Sequence, residues 1–223
     1  MDWSPIWISM RTASVSIVIT FFLGLLAAWL VFRLRSETLR TILDGILTLP
    51  MVLPPTVAGF FLLYVFGVKR PVGQFFLEYF SVKIAFSWVA TVLAAVTMSF
   101  PLMYRSARGA FEQVDMNLVY AARTLGMGEW EIFRKVLIAN AVPGIVSGGV
   151  LAFARGLGEF GATAMIAGNI AGKTRTLPMA VYSEVAAGNM ERAYGYVAII
   201  VVIAFISVVL MNLAALKASI KRS

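Results

Sequence analysis

The sequence predicts an all-α polytopic membrane protein, built as a single transmembrane domain over residues 1–223. Two observations carry this. Hydrophobic residues make up 60% of the chain and charged residues 13%, about half the ~25% charged fraction of an ordinary soluble domain. The apolar residues also fall in runs of about 20, the length that crosses ~30 Å of hydrocarbon at 1.5 Å per residue. Roughly five runs qualify, at 12–32, 42–66, 85–104, 141–168 and 194–216. Cysteine and histidine are both absent, which removes disulfides, thiol nucleophiles, Cys/His metal sites and the commonest proton shuttle. The net charge of +8 is spread between apolar segments instead of forming a basic face interleaved with aromatics, so a lipid bilayer is the expected partner and nucleic acid is not.

The opening stretch "MDWSPIWISMRTAS" is acidic and aromatic, and the run after it exceeds the 7–15-residue core of a signal peptide. It reads as a retained first span. Trp3, Trp7, Trp88 and Tyr194 lie near span ends, where amphipathic rings prefer the interface. The second run contains "LPMVLPP". Pro50, Pro54 and Pro55 lack an N–H, so the helix must bend or break there. The bend is either a packing kink or a discontinuity lining a pathway, since such backbone is tolerated at membrane depth only against protein or water.

The third run leads into a polar connection, about 106–140, that holds "AARTLGMGEWEIF". Asp115 is placed to cap a helix "MNLVYAARTL", Gly126 to end it, and Gly128 to precede a second helix. Leu118, Ala121, Ala122 and Leu125 fall at i, i+3, i+4 and i+7, an apolar stripe suited either to a groove on a partner protein or to the lipid surface. In the fourth run Gly144, Gly148, Ala152 and Gly156 recur every fourth residue and make a face for close helix packing. Arg155 and Glu159, also four apart, can neutralise each other as a structural pair or as part of a gate. Gly156, Gly158 and Gly161 bracket Glu159, so residues 155–163, ending near Thr163, are expected to hinge.

After this span, "TRTLPMAVYSEVAAGNM" carries Thr176 as a cap, Pro178 in a first turn and Gly188 as a stop. It makes a helix of about ten residues, too short to span unless the count is six. "GNIAGKT", Gly168 to Thr174, is one residue short of a phosphate loop and lacks the preceding strand; nucleotide binding by this chain is therefore not expected. For orientation, Arg33, Arg35, Arg40, Arg105, Arg108, Arg123, Arg134, Lys135, Lys217, Lys221 and Arg222 fall in one set of connections. Arg11, Lys69, Arg70, Lys83, Lys173, Arg175 and Arg192 fall in the other. The richer set is cytoplasmic by the positive-inside rule, which puts the N-terminus outside and the C-terminus inside. The outer lysines and arginines either attract anions or are ordinary solvated charges.

"AARTLG", "WEIF" and "AVPGI" resemble the cytoplasmic loop of inner-membrane permeases of bacterial ABC importers, with Ala121, Ala122 and Gly126 at matching spacing. Tyr120 stands where that family often has Glu, and Ala139 where a Pro is expected; these departures bear on a charged contact at position 120 and leave the turn intact. "LPMVLPPTVAGFFLL" and "LAFARGLGEFGATAMIAGNIAGKTRTLPMAVY" resemble permeases of molybdate importers and, less closely, of sulfate and tungstate importers.

The resemblance implies a type I ABC importer permease in the inner membrane, working as a homodimer. Two copies of a separate ATPase would bind ATP and magnesium, and an extracytoplasmic protein would bind the oxyanion; this chain would hold no cofactor and no metal. It also implies that the elbow, with Tyr120, Ala121, Ala122, Arg123, Leu125, Gly126 and Gly128, seats in the ATPase. Pro50, Pro54, Pro55, Arg155, Gly158, Glu159, Gly161 and Thr163 are the pathway or gate candidates. A secondary transporter driven by an ion gradient is the rival, and it is disfavoured because no repeat is found and Glu159 is the one carboxylate expected at mid-membrane. A membrane enzyme is weaker still, for no nucleophile and base, metal cluster or paired carboxylates stand at catalytic spacing.

Overall fold

The computed structural model describes residues 2–220, and its regular elements are all helices among the described residues. They are α1 (Ser4–Phe32), α2 (Glu37–Val52), α3 (Pro55–Phe66), α4 (Pro71–Phe80), α5 (Trp88–Glu112), α6 (Met116–Thr124), α7 (Glu129–Ile132), α8 (Ala139–Leu157), α9 (Gly161–Ile166), α10 (Leu177–Ala186) and α11 (Met190–Ile220). A π-helical segment, Phe133–Ile138, joins α7 to α8, so Glu129–Leu157 runs as one span of 29 residues. With α1, α5 and α11 this makes 4 helices long and apolar enough to cross a membrane. The pair α2–α3 supplies a fifth if taken as one broken span, bent by 107°.

The centre of the bundle is α1, α5 and α8, packed through small residues. On α1, Ser9, Ala13, Ser16, Thr20, Gly24 and Ala28 are buried about once per turn. Their small size lets the backbones approach, and their hydroxyls pair across the interface. Thr12 and Thr91 hydroxyls lie 2.9 Å apart, and those of Thr20 and Ser99 3.0 Å. A side chain on Gly24 would stand 2.7 Å from Met103 Cγ. The fourth-residue ridge of α8 faces α5: a Cβ on Gly144 would lie 2.7 Å from Ala110 Cβ, one on Gly148 would overlap Ser106, and Ala152 is buried. A Cβ on Gly156 would lie 3.3 Å from the Ser16 hydroxyl.

The two ends of the bundle differ in kind. At one end Ala28, Val31, Phe111, Val119, Phe133 and Leu137 form an apolar core beneath α6 and α7. At the other, Ala58, Ala90, Ala94, Ala162 and Ile166 join α3, α5 and α9, while Leu177, Ala180 and Tyr196 join α10 to α11. Arg33, Arg35, Arg40, Arg108 and Arg123 thus share the elbow end. Lys221 and Arg222, assigned to the same side from sequence, lie outside the described residues.

The second run breaks where its prolines require it, into two helices with a sharp corner, because Pro54 and Pro55 lack the N–H that would continue α2 and start a new helix. Two expectations change. The fourth run stops at Leu157 and resumes as the short α9. Thr176 does not cap α10 with its hydroxyl; Ser9 of α1 accepts the Leu177 N–H at 2.7 Å in its place. Gly188 does end α10, in the left-handed region at φ +78°. With 10 residues, α10 reaches about 15 Å, so it does not add a sixth span.

Candidate coupling elbow and pathway residues

The elbow is built by two capping devices. The Asp115 carboxylate accepts the Asn117 N–H at 2.9 Å and opens α6. At its other end Gly126 takes φ +78°. Its N–H bonds to Arg123 O at 3.0 Å, and the Met127 N–H reaches Ala122 O at 3.1 Å. This is the paired closure of a Schellman stop, which needs a residue free to adopt positive φ. Met127 packs on the apolar core below, as that motif favours. Across the turn Arg123 Nε donates to Glu129 Oε1 at 2.9 Å. The carboxylate raises the Arg123 guanidinium above its already high value, first by hydrogen bonding and then by charge. Gly128 then precedes α7 in extended conformation, its carbonyl accepting the Ile132 N–H at 2.9 Å.

The face that the elbow presents differs from the sequence-derived stripe in one member. Ala122 is buried with Val119 against the bundle. Leu118, Ala121, Tyr120 and Leu125 are exposed; Leu125 is 82% accessible and Trp130, on α7, 63%. The four-residue pattern merged two faces because a helix this short is clasped on one side. Exposed apolar side chains held on a capped, rigid helix mark an interaction surface.

The breaks of the second and fourth runs meet at the opposite end. A Cβ on Gly161 would stand 2.8 Å from Pro55 Cβ, and one on Gly59 2.7 Å from Ala162 Cα. Pro54 caps α3 and Pro55 begins it, whereas Pro50 lies inside α2, one turn before the corner. Glu159 fills the gap between α8 and α9. Its side chain is 1% accessible, Oε1 accepts the Ala162 N–H at 2.8 Å, and Oε2 lies 2.6 Å from Arg155 Nη1. The acid therefore caps α9 while paired to the end of α8, placing negative charge where both the helix dipole and a cation favour it. Gly158 has φ −85°, an ordinary conformation, and Thr163 is buried within α9.

A third cluster had no place in the sequence reading. Asp44 on α2 receives the Tyr104 hydroxyl and the Arg108 guanidinium of α5. Arg108 Nε also donates to Glu112 at 2.9 Å, and Arg40 stands 3.5 Å from Glu37 and 3.8 Å from Glu112. No residue of α2 is fully buried; Leu43 and Leu47 touch the core, and this ionic lattice adds to its attachment. The signal was an acid, Asp44, inside an apolar run, where charges carry a default expectation of function.

The apparent phosphate loop closes on itself. Gly168 and Gly172 both take positive φ, and the buried Thr174 hydroxyl accepts the Ile170 N–H at 3.1 Å and donates to Gly168 O at 3.3 Å. Among the described residues no group of His, Cys, Asp or Glu is placed to hold a metal ion.

The sequence model of binding-protein-dependent transport system inner membrane components matches residues 20–220. The chain belongs to this family. It is thus a multi-pass inner-membrane transport component. It is 44% identical over 82% of its length to the molybdenum transport system permease protein ModB of Escherichia coli K12, covering 79% of that protein. It is 40% identical over 92% of its length to a putative molybdenum transport system permease of Bacillus subtilis, covering 89% of it. Among solved structures, it superposes on a chain of a methionine ABC transporter in an inward-facing conformation with TM-score 0.75 and 18% identity, covering 96% of this chain and 94% of that one. A bacterial alginate ABC importer gives 0.74 at 14% identity, covering 97% and 78% respectively. At those identities the structures establish the fold, and it is that of ABC importer permeases.

Proposed function

We propose that this chain is the membrane-spanning permease subunit of an ATP-driven importer of molybdate, moving the anion by alternating access. The observation that carries this is the 44% identity to a molybdenum permease over 82% of the chain. Two copies would enclose the pathway, since five spans make a thin bundle and oligomers of this kind close by two-fold symmetry. Two copies of an ATPase would bind ATP and magnesium beneath them, and an external protein would deliver the oxyanion. The N-terminus then faces outward and the C-terminus the cytoplasm, in keeping with the arginine-rich elbow end.

In this reading the elbow couples nucleotide chemistry to the spans. Its exposed Leu118, Ala121 and Leu125 suit a groove on the ATPase. The lattice from Glu112 through Arg108 to Asp44 continues the path to α2 and so to the Pro54–Pro55 corner. The breaks at Pro55 and Gly161, locked together and tied to Arg155–Glu159, form the moving part. Competition decides the cargo. In proteoliposomes holding permease and ATPase, with the binding protein added, labelled molybdate should accumulate and unlabelled sulfate should compete poorly. Equal competition by sulfate would reassign the cargo to sulfate.

A further inference from the structure

Between α5 and α8, on the elbow end, lies a groove of about 560 Å³ whose walls include Arg105 and Ser106 from α5, Gln113 just after it, and Asn140 and Ser147 from α8. Several neighbouring arginines at that end are already engaged with carboxylates. Arg108 is paired with Asp44 and Glu112, Arg40 with Glu37 and Glu112, and Arg33 and Arg123 with Glu129. Arg105, exposed and one turn from Arg108, has no carboxylate within ion-pair distance among the described residues. The side chains of Ser106, Gln113 and Ser147 likewise have no hydrogen-bond partner among the described residues, whereas Thr12, Thr20, Thr91 and Ser99 in the membrane core are all bonded.

A guanidinium, two hydroxyls and a carboxamide thus line one space, none of them bonded to another side chain or backbone group among the described residues. That donor set matches a tetrahedral oxyanion. The planar guanidinium presents a fork to one edge of the anion, and neutral donors satisfy the remaining oxygens without adding charge. The one acid on the wall, Asp115, directs an oxygen to the Asn117 N–H at 2.9 Å to cap α6. The volume also admits hydration water at ~30 Å³ each. A single exposed cation holds an anion loosely, and loose holding is what release requires. A second groove of about 290 Å³ shares Arg105 and Gly109 with the first, so Arg105 stands between two grooves beside the charged lattice of α2.

We propose that this groove is a low-affinity subsite for the transported oxyanion on the elbow side of the bundle, with Arg105 as its anchor and Ser106, Ser147 and Gln113 as neutral donors. The proposal rests on the importer reading above and adds an exit station to it. Inorganic phosphate, which an ATPase releases on the same side, shares the chemistry and is the competing source.

The test uses the permease–ATPase complex in nanodiscs without the binding protein, with labelled molybdate and labelled phosphate titrated separately by equilibrium dialysis. Weak, saturable molybdate binding is expected, reduced at least tenfold by Arg105→Gln and less by Arg105→Lys or Ser147→Ala. Uptake by Arg105→Gln in proteoliposomes should fall several-fold. Should Arg105→Gln fail to assemble with the ATPase, Arg105→Lys and Ser147→Ala decide by their own smaller but measurable reductions in binding. Molybdate binding unchanged in the assembled variants overturns the subsite while leaving the importer reading intact. Phosphate binding as tightly as molybdate overturns it as a cargo site. A wild-type complex that imports no molybdate, tungstate or sulfate, even with the binding protein, overturns the importer reading and the subsite with it.

Discussion

Glu159 shows how one side chain can fasten two helices across a break. Its carboxylate is buried, and a buried charge is tolerated only when paired and hydrogen-bonded. Arg155 provides the first and the Ala162 N–H the second. Removing one partner of a buried pair costs ~3–5 kcal/mol; with the Arg155 side chain 31% accessible, water softens the loss, and about 2 kcal/mol is expected for Arg155→Ala. Uptake should drop at least fivefold while pull-down with the ATPase still recovers the variant. Normal transport by Arg155→Ala would remove this pair from the mechanism. The four-residue spacing made the pair legible in the sequence. The capping role was not, because it depends on α8 ending at Leu157, and three glycines in that stretch read equally well as a flexible helix. The structure gives Gly161 a different necessity, the space taken by Pro55.

Among elements, α6 and its turn were the most readable. Asp115 and Gly126 are local signals, and each acts within a few residues of itself. Substituting Gly126 by Ala forces a side chain into φ +78°, at about 1–2 kcal/mol, and should shift the angle between α6 and α7. Leu125→Ser leaves the turn alone and removes the most exposed apolar contact. Leu125→Ser is expected to weaken ATPase binding at least tenfold in surface plasmon resonance, and Gly126→Ala to lower transport per ATP hydrolysed. Unchanged binding in Leu125→Ser would mean that the ATPase seats elsewhere.

The attachment of α2 was hidden for the opposite reason: Asp44 and Arg108 are distant in sequence, and only the fold brings them together. Asp44→Asn should preserve shape and loosen α2, so that ATP hydrolysis continues while uptake declines severalfold. If Asp44→Asn and Arg108→Gln both transport normally, the lattice is a passive strut. The π segment, Phe133–Ile138, had no sequence signal at all, since its residues would serve an α-helix equally well.

At the scale of the molecule, hydropathy located the spans because the bilayer imposes one length on all of them. It could not reveal that two spans are interrupted and that their interruptions touch, since hydropathy averages over windows longer than a corner. The consequence is mechanical. A rigid three-helix centre of α1, α5 and α8 carries the elbow at one end, while the paired breaks at Pro55 and Gly161 sit at the other, and α2 runs between them on an ionic mount. In the proposed reading the driving force comes from a separate ATPase, in keeping with a phosphate-loop-like stretch that is closed on Thr174. Reconstitution in liposomes tests that claim most directly. With the ATPase, ATP and the binding protein present, molybdate should accumulate against its gradient, and omitting the ATPase should abolish accumulation. Uphill accumulation by this chain alone, driven by an ion gradient, would contradict the account.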